Sequence, residues 1–153
     1  MASCIAALAV RHTTLPEIKQ HGVSAAVEAY STNAVTILAS IAYAPSIDNL
    51  HTLILLSWIE FKRNRSGAFC AYAEMAVQMA MDLGLSNDKF ALTARNEHER
   101  RMLQATWTSI SQLNTTSNTI IAIQHPHSLS SVVISRNVAI RFLAPERLLT
   151  GHS

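Results

Sequence analysis

Glycine and proline are scarce in this sequence, four of each in 153 residues, and charged residues make up only 14% of it. With 49% hydrophobic residues beside them, that scarcity excludes a disordered or fibrous chain. Cysteine is nearly absent. Cys4 and Cys70 stand too far apart in sequence for a disulfide framework or a thiolate metal spacing. They read as small buried hydrophobes of a reducing compartment. No run of lysine or arginine forms a stripe, and the formal net charge is only +2, which argues against nucleic-acid binding by this chain alone. No positive residue precedes the short apolar run near Met1, against a secretory signal. The longest apolar run, residues 53–59, falls far short of the ~20 residues of a membrane span. A soluble intracellular domain is expected, long enough to bury roughly two thirds of the surface of its unfolded chain.

What is present is helical periodicity. Residues 3–12 read as a helix already in progress, with no polar lead-in, which suggests that something upstream is missing. "TTLPEIKQHG" follows as a connector, with Pro16 opening a turn and Gly22 allowing a sharp change of direction. From residue 23 to 43, Val23, Ala26, Val27, Tyr30, Ala34, Ile37, Leu38 and Ile41 keep the three-and-four spacing of one helical face. Pro45 ends that helix, and Ser46 caps the next, with Asp48 in its first turn. Residues 50–61 are apolar almost all round, so this helix should be central. "KRNRSG" is a polar connector. In the next helix Phe69, Tyr72, Ala73, Ala76, Met79, Ala80 and Leu83 share one face, while Cys70, Glu74, Gln78 and Asp82 share another. Alanine lets neighbouring helices approach closely and methionine fills irregular gaps. Gly84 supplies the left-handed residue of a helix stop, onto which Leu85 folds back. After a polar loop Thr93 is placed to cap a last helix with the stripe Leu103, Trp107, Ile110 and Leu113. Glu97 and Arg101 form an i,i+4 pair there. The polar "NTTSNT" weakens that helix without ending it, and Pro126 ends it. "SSVVISRNVAIRFLAPE" is β-branched and loosely alternating, which predicts an extended segment or short strand. The expected fold is all-α, about five packed antiparallel helices over about residues 3–122, with an extended tail over about 128–145.

The order of these pieces resembles the middle regulatory region of fungal zinc-cluster transcription factors, the xylanolytic-activator type among them. In that family a helix with an aromatic or acidic end leads through a short loop to an Ala-x-x-Met-Ala helix that stops at Leu-Gly-Leu. Here Ala73, Ala76, Met79, Ala80, Leu83, Gly84 and Leu85 match. The acidic and arginine cluster followed by tryptophan is matched by Glu97, Glu99, Arg100, Arg101 and Trp107, and the turn after it by Pro126. "VAIRFLAPE" resembles the family's extended segment, so the likeness spans residues 5–145. It departs where the family has a second aromatic beside Trp107, a charged pair in place of "QLNTTSN", and glycine and arginine in place of Gln124 and His125. The six-cysteine zinc cluster that reads DNA in the family is not encoded, nor is the family's later helical region. The resemblance implies a nuclear, regulatory, non-enzymatic role through contacts with the rest of its own architecture, with a homodimer, or with other proteins. DNA would be reached only through a zinc-cluster domain outside this sequence. A stand-alone truncated helical interaction protein is the alternative.

Ala76, Met79, Ala80, Leu83, Gly84, Leu85, Glu99, Arg100, Arg101, Trp107 and Pro126 are thus family-motif positions, expected to be structural. Arg100 and Arg101 should be solvated or paired with nearby carboxylates rather than hold phosphate. Trp107 should pack into the core rather than line a ligand pocket. His125 and His127 share a face of an extended segment, yet no third ligand lies nearby, so no metal is expected. Glu74 and Asp82 lie two turns apart, too far to share a proton. No nucleophile elbow or phosphate-cradling loop is present, and no cofactor is expected. Helices as apolar as residues 50–61, short of their complement, should leave an exposed greasy patch, so that the chain self-associates or behaves as a molten state.

Overall fold

The structure, a computed structural model, describes residues 1–41, 44–86 and 94–124. Among the described residues the elements are all helical. They are α1 (Ala2–Ala9), continued by a 3-10 turn (Val10–His12), then α2 (Pro16–His21), α3 (Val23–Ile41), α4 (Ile47–Lys62), α5 (Ser66–Asp82) and α6 (Glu97–Gln124).

α4 is the axis, as its all-round apolarity predicts. It packs against α1, α3, α5 and α6. Leu50, Leu53, Leu56 and Ile59 are fully enclosed, each worth ~1.5–3 kcal/mol relative to exposure. Polar residues share that interior because their hydroxyls are satisfied within the helix. Ser57 Oγ donates to the Leu53 carbonyl and Thr52 Oγ1 to that of Asp48, both at 2.8 Å. The start is set by Ser46, whose side chain accepts from the Asn49 N–H at 3.1 Å. The end is set by Asn64 at φ 58°, with the Asn64 N–H on the Phe61 carbonyl and the Arg65 N–H on that of Glu60, both 3.0 Å. This is a Schellman stop with asparagine at the left-handed position, so "KRNRSG" is more than a polar connector.

α5 lies along α4 with Ala73, Ala76 and Ala80 buried in the seam and Met79 beside them. Trp58, Phe61 and Phe69 close the other end of the seam, with ring centroids 5.3–5.9 Å apart. Gly84, at φ 74°, ends the chain's run as expected. Its N–H bonds the Met81 carbonyl at 2.8 Å, the Leu85 N–H bonds the Ala80 carbonyl at 3.0 Å, and Leu85 is buried.

Two expectations need correction. The connector around Pro16 is the short helix α2, because proline at the first helical position has the φ a helix requires and no N–H to leave unbonded. Gly22 does take a positive φ, 88°, between α2 and α3. On α3 the buried face runs Val27, Ser31, Ala34 and Leu38, while Tyr30 and Ile37 are exposed. Ser31 fits that face because its hydroxyl donates to the Val27 carbonyl at 2.7 Å. Cys70 is half-buried, its Sγ 4.0 Å from the Ser117 carbonyl of α6.

α6 is 28 residues long and passes through the polar stretch unbroken. Thr115, Thr116 and Thr119 each donate to the carbonyl four residues back at 2.9 Å, so the threonines leave no competing donors. Its cap is Asn96, whose Oδ1 accepts from the Glu99 N–H at 2.8 Å. Thr93, Pro126, His125, His127 and the predicted extended segment at 128–145 lie outside the described residues.

Candidate interaction surface

The family-motif residues are brought together only in part. Ala76, Met79 and Ala80 face α4, Leu83 is half-buried, and Gly84 and Leu85 form the stop of α5. Trp107 is half-buried against the core from α6. At the far end of that helix Arg100 and Arg101 both pair with Glu97, the latter at 3.0 Å. Glu99 accepts from the Arg95 N–H at 2.7 Å and so ties down the first turn. All four charged side chains are exposed or nearly so, as solvated pairs are.

Sequence reasoning missed a charge knot where α4 ends. Glu60 is only 5% exposed. Arg63 Nη1 donates to its Oε1 at 3.0 Å, and Arg65 Nη1 stands 3.5 Å from its Oε2. Both arginines also reach Glu28 on α3, Arg65 at 3.1 Å. The knot therefore pins α3 to the end of α4, and the cations sit where the helix dipole favours them. Burial, with Arg65 and Arg11 nearby, pushes the Arg63 guanidinium below its ordinary value. Burial, with Glu60 and Cys4 nearby, pushes the Tyr72 phenol up. The Glu60–Arg63 spacing is a readable signal in the sequence; the partner on α3, more than thirty residues away, is not.

A second missed link is His51 Nε2 to Thr106 Oγ1, 2.8 Å, joining α4 to α6. The Thr106 hydroxyl gives its proton to the Met102 carbonyl at 2.9 Å, so the ring must be the donor, with its proton on Nε2. This pair lies on an apolar groove of about 390 Å³ between α1, α4 and α6, whose walls include Ile5, Ile54, Leu55, Met102 and Ala105. A second groove, of about 780 Å³, runs beside the second half of α5. Its floor is Leu53, Met75 and Met79, Ala39 and Pro45 close one side, and Glu74 and Asp82 stand at its edge. Both volumes lie in the range of ligand clefts.

Neither groove carries a constellation for chemistry. Among the described residues no three histidine, cysteine or acidic side chains come together as a metal ion needs. Cys4 is buried with its thiol pushed up by desolvation, 4.0 Å from the Thr52 carbonyl, the setting of an inert thiol. Among the described residues no helix is long and apolar enough to cross a membrane.

Fold and surface define an all-α bundle among the described residues, with apolar grooves at its surface. No protein-family model, no curated protein and no solved structure matches the chain.

Proposed function

We propose that the chain is part of the middle regulatory region of a fungal zinc-cluster transcription factor and works in transcription control through contacts within its own architecture or with other proteins. The observation that carries this reading is the ordered motif along α4 to α6. A helix with Phe61 near its end leads to the alanine–methionine seam, the Leu83-Gly84-Leu85 stop, and then Glu99, Arg100, Arg101 and Trp107 on the next helix. The seam alanines being buried, and Gly84 holding a positive φ, give those residues the structural reason that such a motif requires. The role is nuclear and non-catalytic, and DNA is read by a zinc cluster on other residues than these. The second reading, a stand-alone helical interaction protein, draws on the two grooves, which offer docking surface without any need for a DNA-reading module.

The test is a reporter in fungal cells. The chain is placed between a heterologous DNA-binding domain and an activation domain, and compared with a flexible linker of equal length. The regulatory reading expects reporter output to change several-fold, and to return when Ala105→Trp fills the apolar groove. Equal output from both fusions at equal protein level would refute it and leave the interaction reading.

A further inference from the structure

We propose that the groove between α1, α4 and α6 binds a small neutral molecule with an apolar body and one hydroxyl or N–H donor. This inference does not depend on the regulatory reading. The groove holds about 390 Å³, the size of a small ligand cleft, and three helices build it. Ile5 at 52% and Met102 at 38% exposure are large apolar side chains left open on its walls. Methionine is soft enough to adjust to the outline of a guest. Among the described residues no aspartate, glutamate, lysine or arginine lines the groove, so an ion would lose water there without gaining a partner.

The polar lining is His51, Thr106 and Ser109, and each has already committed its proton within the protein. His51 Nε2 donates to Thr106 Oγ1 at 2.8 Å. The Thr106 hydroxyl donates to the Met102 carbonyl and the Ser109 hydroxyl to the Ala105 carbonyl, both at 2.9 Å. A neutral imidazole keeps only a lone pair on its second nitrogen, and a hydroxyl that donates to its own helix keeps only acceptor capacity. The polar side chains of the groove are therefore acceptors only. Thr106 holds the arrangement in place, being only 4% exposed with its oxygen shared between His51 and the helix. This selects the guest. A carboxylate brings acceptors alone, and a peptide brings a carbonyl with its N–H groups, so either would bury oxygens with no donor to meet them. An alcohol, a phenol or an N–H heterocycle brings the donor that the groove lacks.

The experiment follows the methionine methyl resonances of the native chain by NMR at pH 8, above the ordinary range of histidine. Three probes share one ring system: naphthol, methoxynaphthalene, which lacks the donor, and naphthoate, which is an anion. The Met102 methyl reports this groove, and Met75 and Met79 report the one beside α5. Naphthol is expected to shift Met102 and to bind about three- to tenfold more tightly than either other probe, the net effect of one hydrogen bond. Ala105→Trp, a change at an exposed position of the groove wall, should abolish the response. Thr106→Val frees the His51 N–H, so the preference should turn toward methoxynaphthalene, whose oxygen accepts. Circular dichroism monitors the helices, and the comparison of probes on the native chain reads the proposal even if Thr106→Val unfolds. No Met102 shift with naphthol, equal affinity for the three probes, or shifts at Met75 and Met79 instead would each overturn the proposal. A Met102 resonance that moves with protein concentration before any probe is added would also overturn it, placing a second copy in the groove.

Discussion

Neutralising Glu60 should cost the fold far more than neutralising Glu28, although both accept from the same arginines. Glu60 is almost wholly enclosed, and its Arg63 partner is only 12% exposed. Removing one member of a buried ion pair costs ~3–5 kcal/mol, because the charge left behind has lost both water and partner. In Glu60→Gln, Arg63 keeps Glu28, so the lower end, ~3 kcal/mol, is expected. Glu28 is half exposed, where screening by water reduces a pair to ~0.2–1 kcal/mol, so Glu28→Gln should be nearly silent. For a chain of this size each kcal/mol moves Tm by about 2–4 °C, which gives a fall of about 6–12 °C against about 4 °C or less. Thermal melting followed by circular dichroism reads both, and urea titration checks that the m-value is unchanged. A Glu60→Gln/Arg63→Met cycle then separates the pair from the packing of the arginine stem. Equal losses for the two neutral variants, or a loss below about 1 kcal/mol for Glu60→Gln, would refute the view that burial decides the energetics of this knot.

Gly84→Val forces a branched residue to φ 74° and should lower stability by ~1–3 kcal/mol, read by the same melting assay; an unchanged Tm would show that the Schellman stop is not needed. Ser46→Ala removes the cap of α4 and should cost ~1 kcal/mol, with Ser46→Asp close to native. Tyr72 is held neutral chiefly by burial, so its folded pKa lies above its unfolded value near 10.0. Its contribution is therefore complete below pH 10 and is lost as pH rises through the folded value. Tyr72→Phe should flatten the alkaline fall of urea midpoints, and an unaltered slope would count against that assignment.

The elements most legible in the sequence were those whose signal is local. α4 declared itself by apolarity on every side, and α5 by its alanine face and a glycine at the one position that needs positive φ. Asn64 carried the same stop signal, hidden because asparagine in a basic stretch reads as surface. On α3 the apolar stripe and the buried face overlap at Val27, Ala34 and Leu38 but not at Tyr30, Ser31 and Ile37. Tyr30 and Ile37 look like core by hydrophobicity, whereas Ser31 looks like surface, yet a hydroxyl bonded to its own backbone packs as a small neutral group. Pro16 reads equally as a turn or a helix start, because proline breaks helices from within and starts them well, and the acidic Glu17 behind it favours the second role. The charge knot and the His51–Thr106 link join residues 28 to 63 and 51 to 106, separations at which no periodicity speaks.

The grooves follow from the same side chains that make the fold. Ala73, Ala76 and Ala80 draw α5 close to α4, but slender residues in the seam leave the bulk of the helix on its outer faces. Met75 is exposed there, and Ala39 near the end of α3 lines the same groove. A leucine-rich α5 would stand further from α4 and fill its own surroundings. Close packing on one side and unfilled apolar space on the other are thus one consequence of a helix built from alanine and methionine. Glu74 and Asp82 stand at the edge of that open side, where Asp82 accepts from Gln78 Nε2 at 2.9 Å.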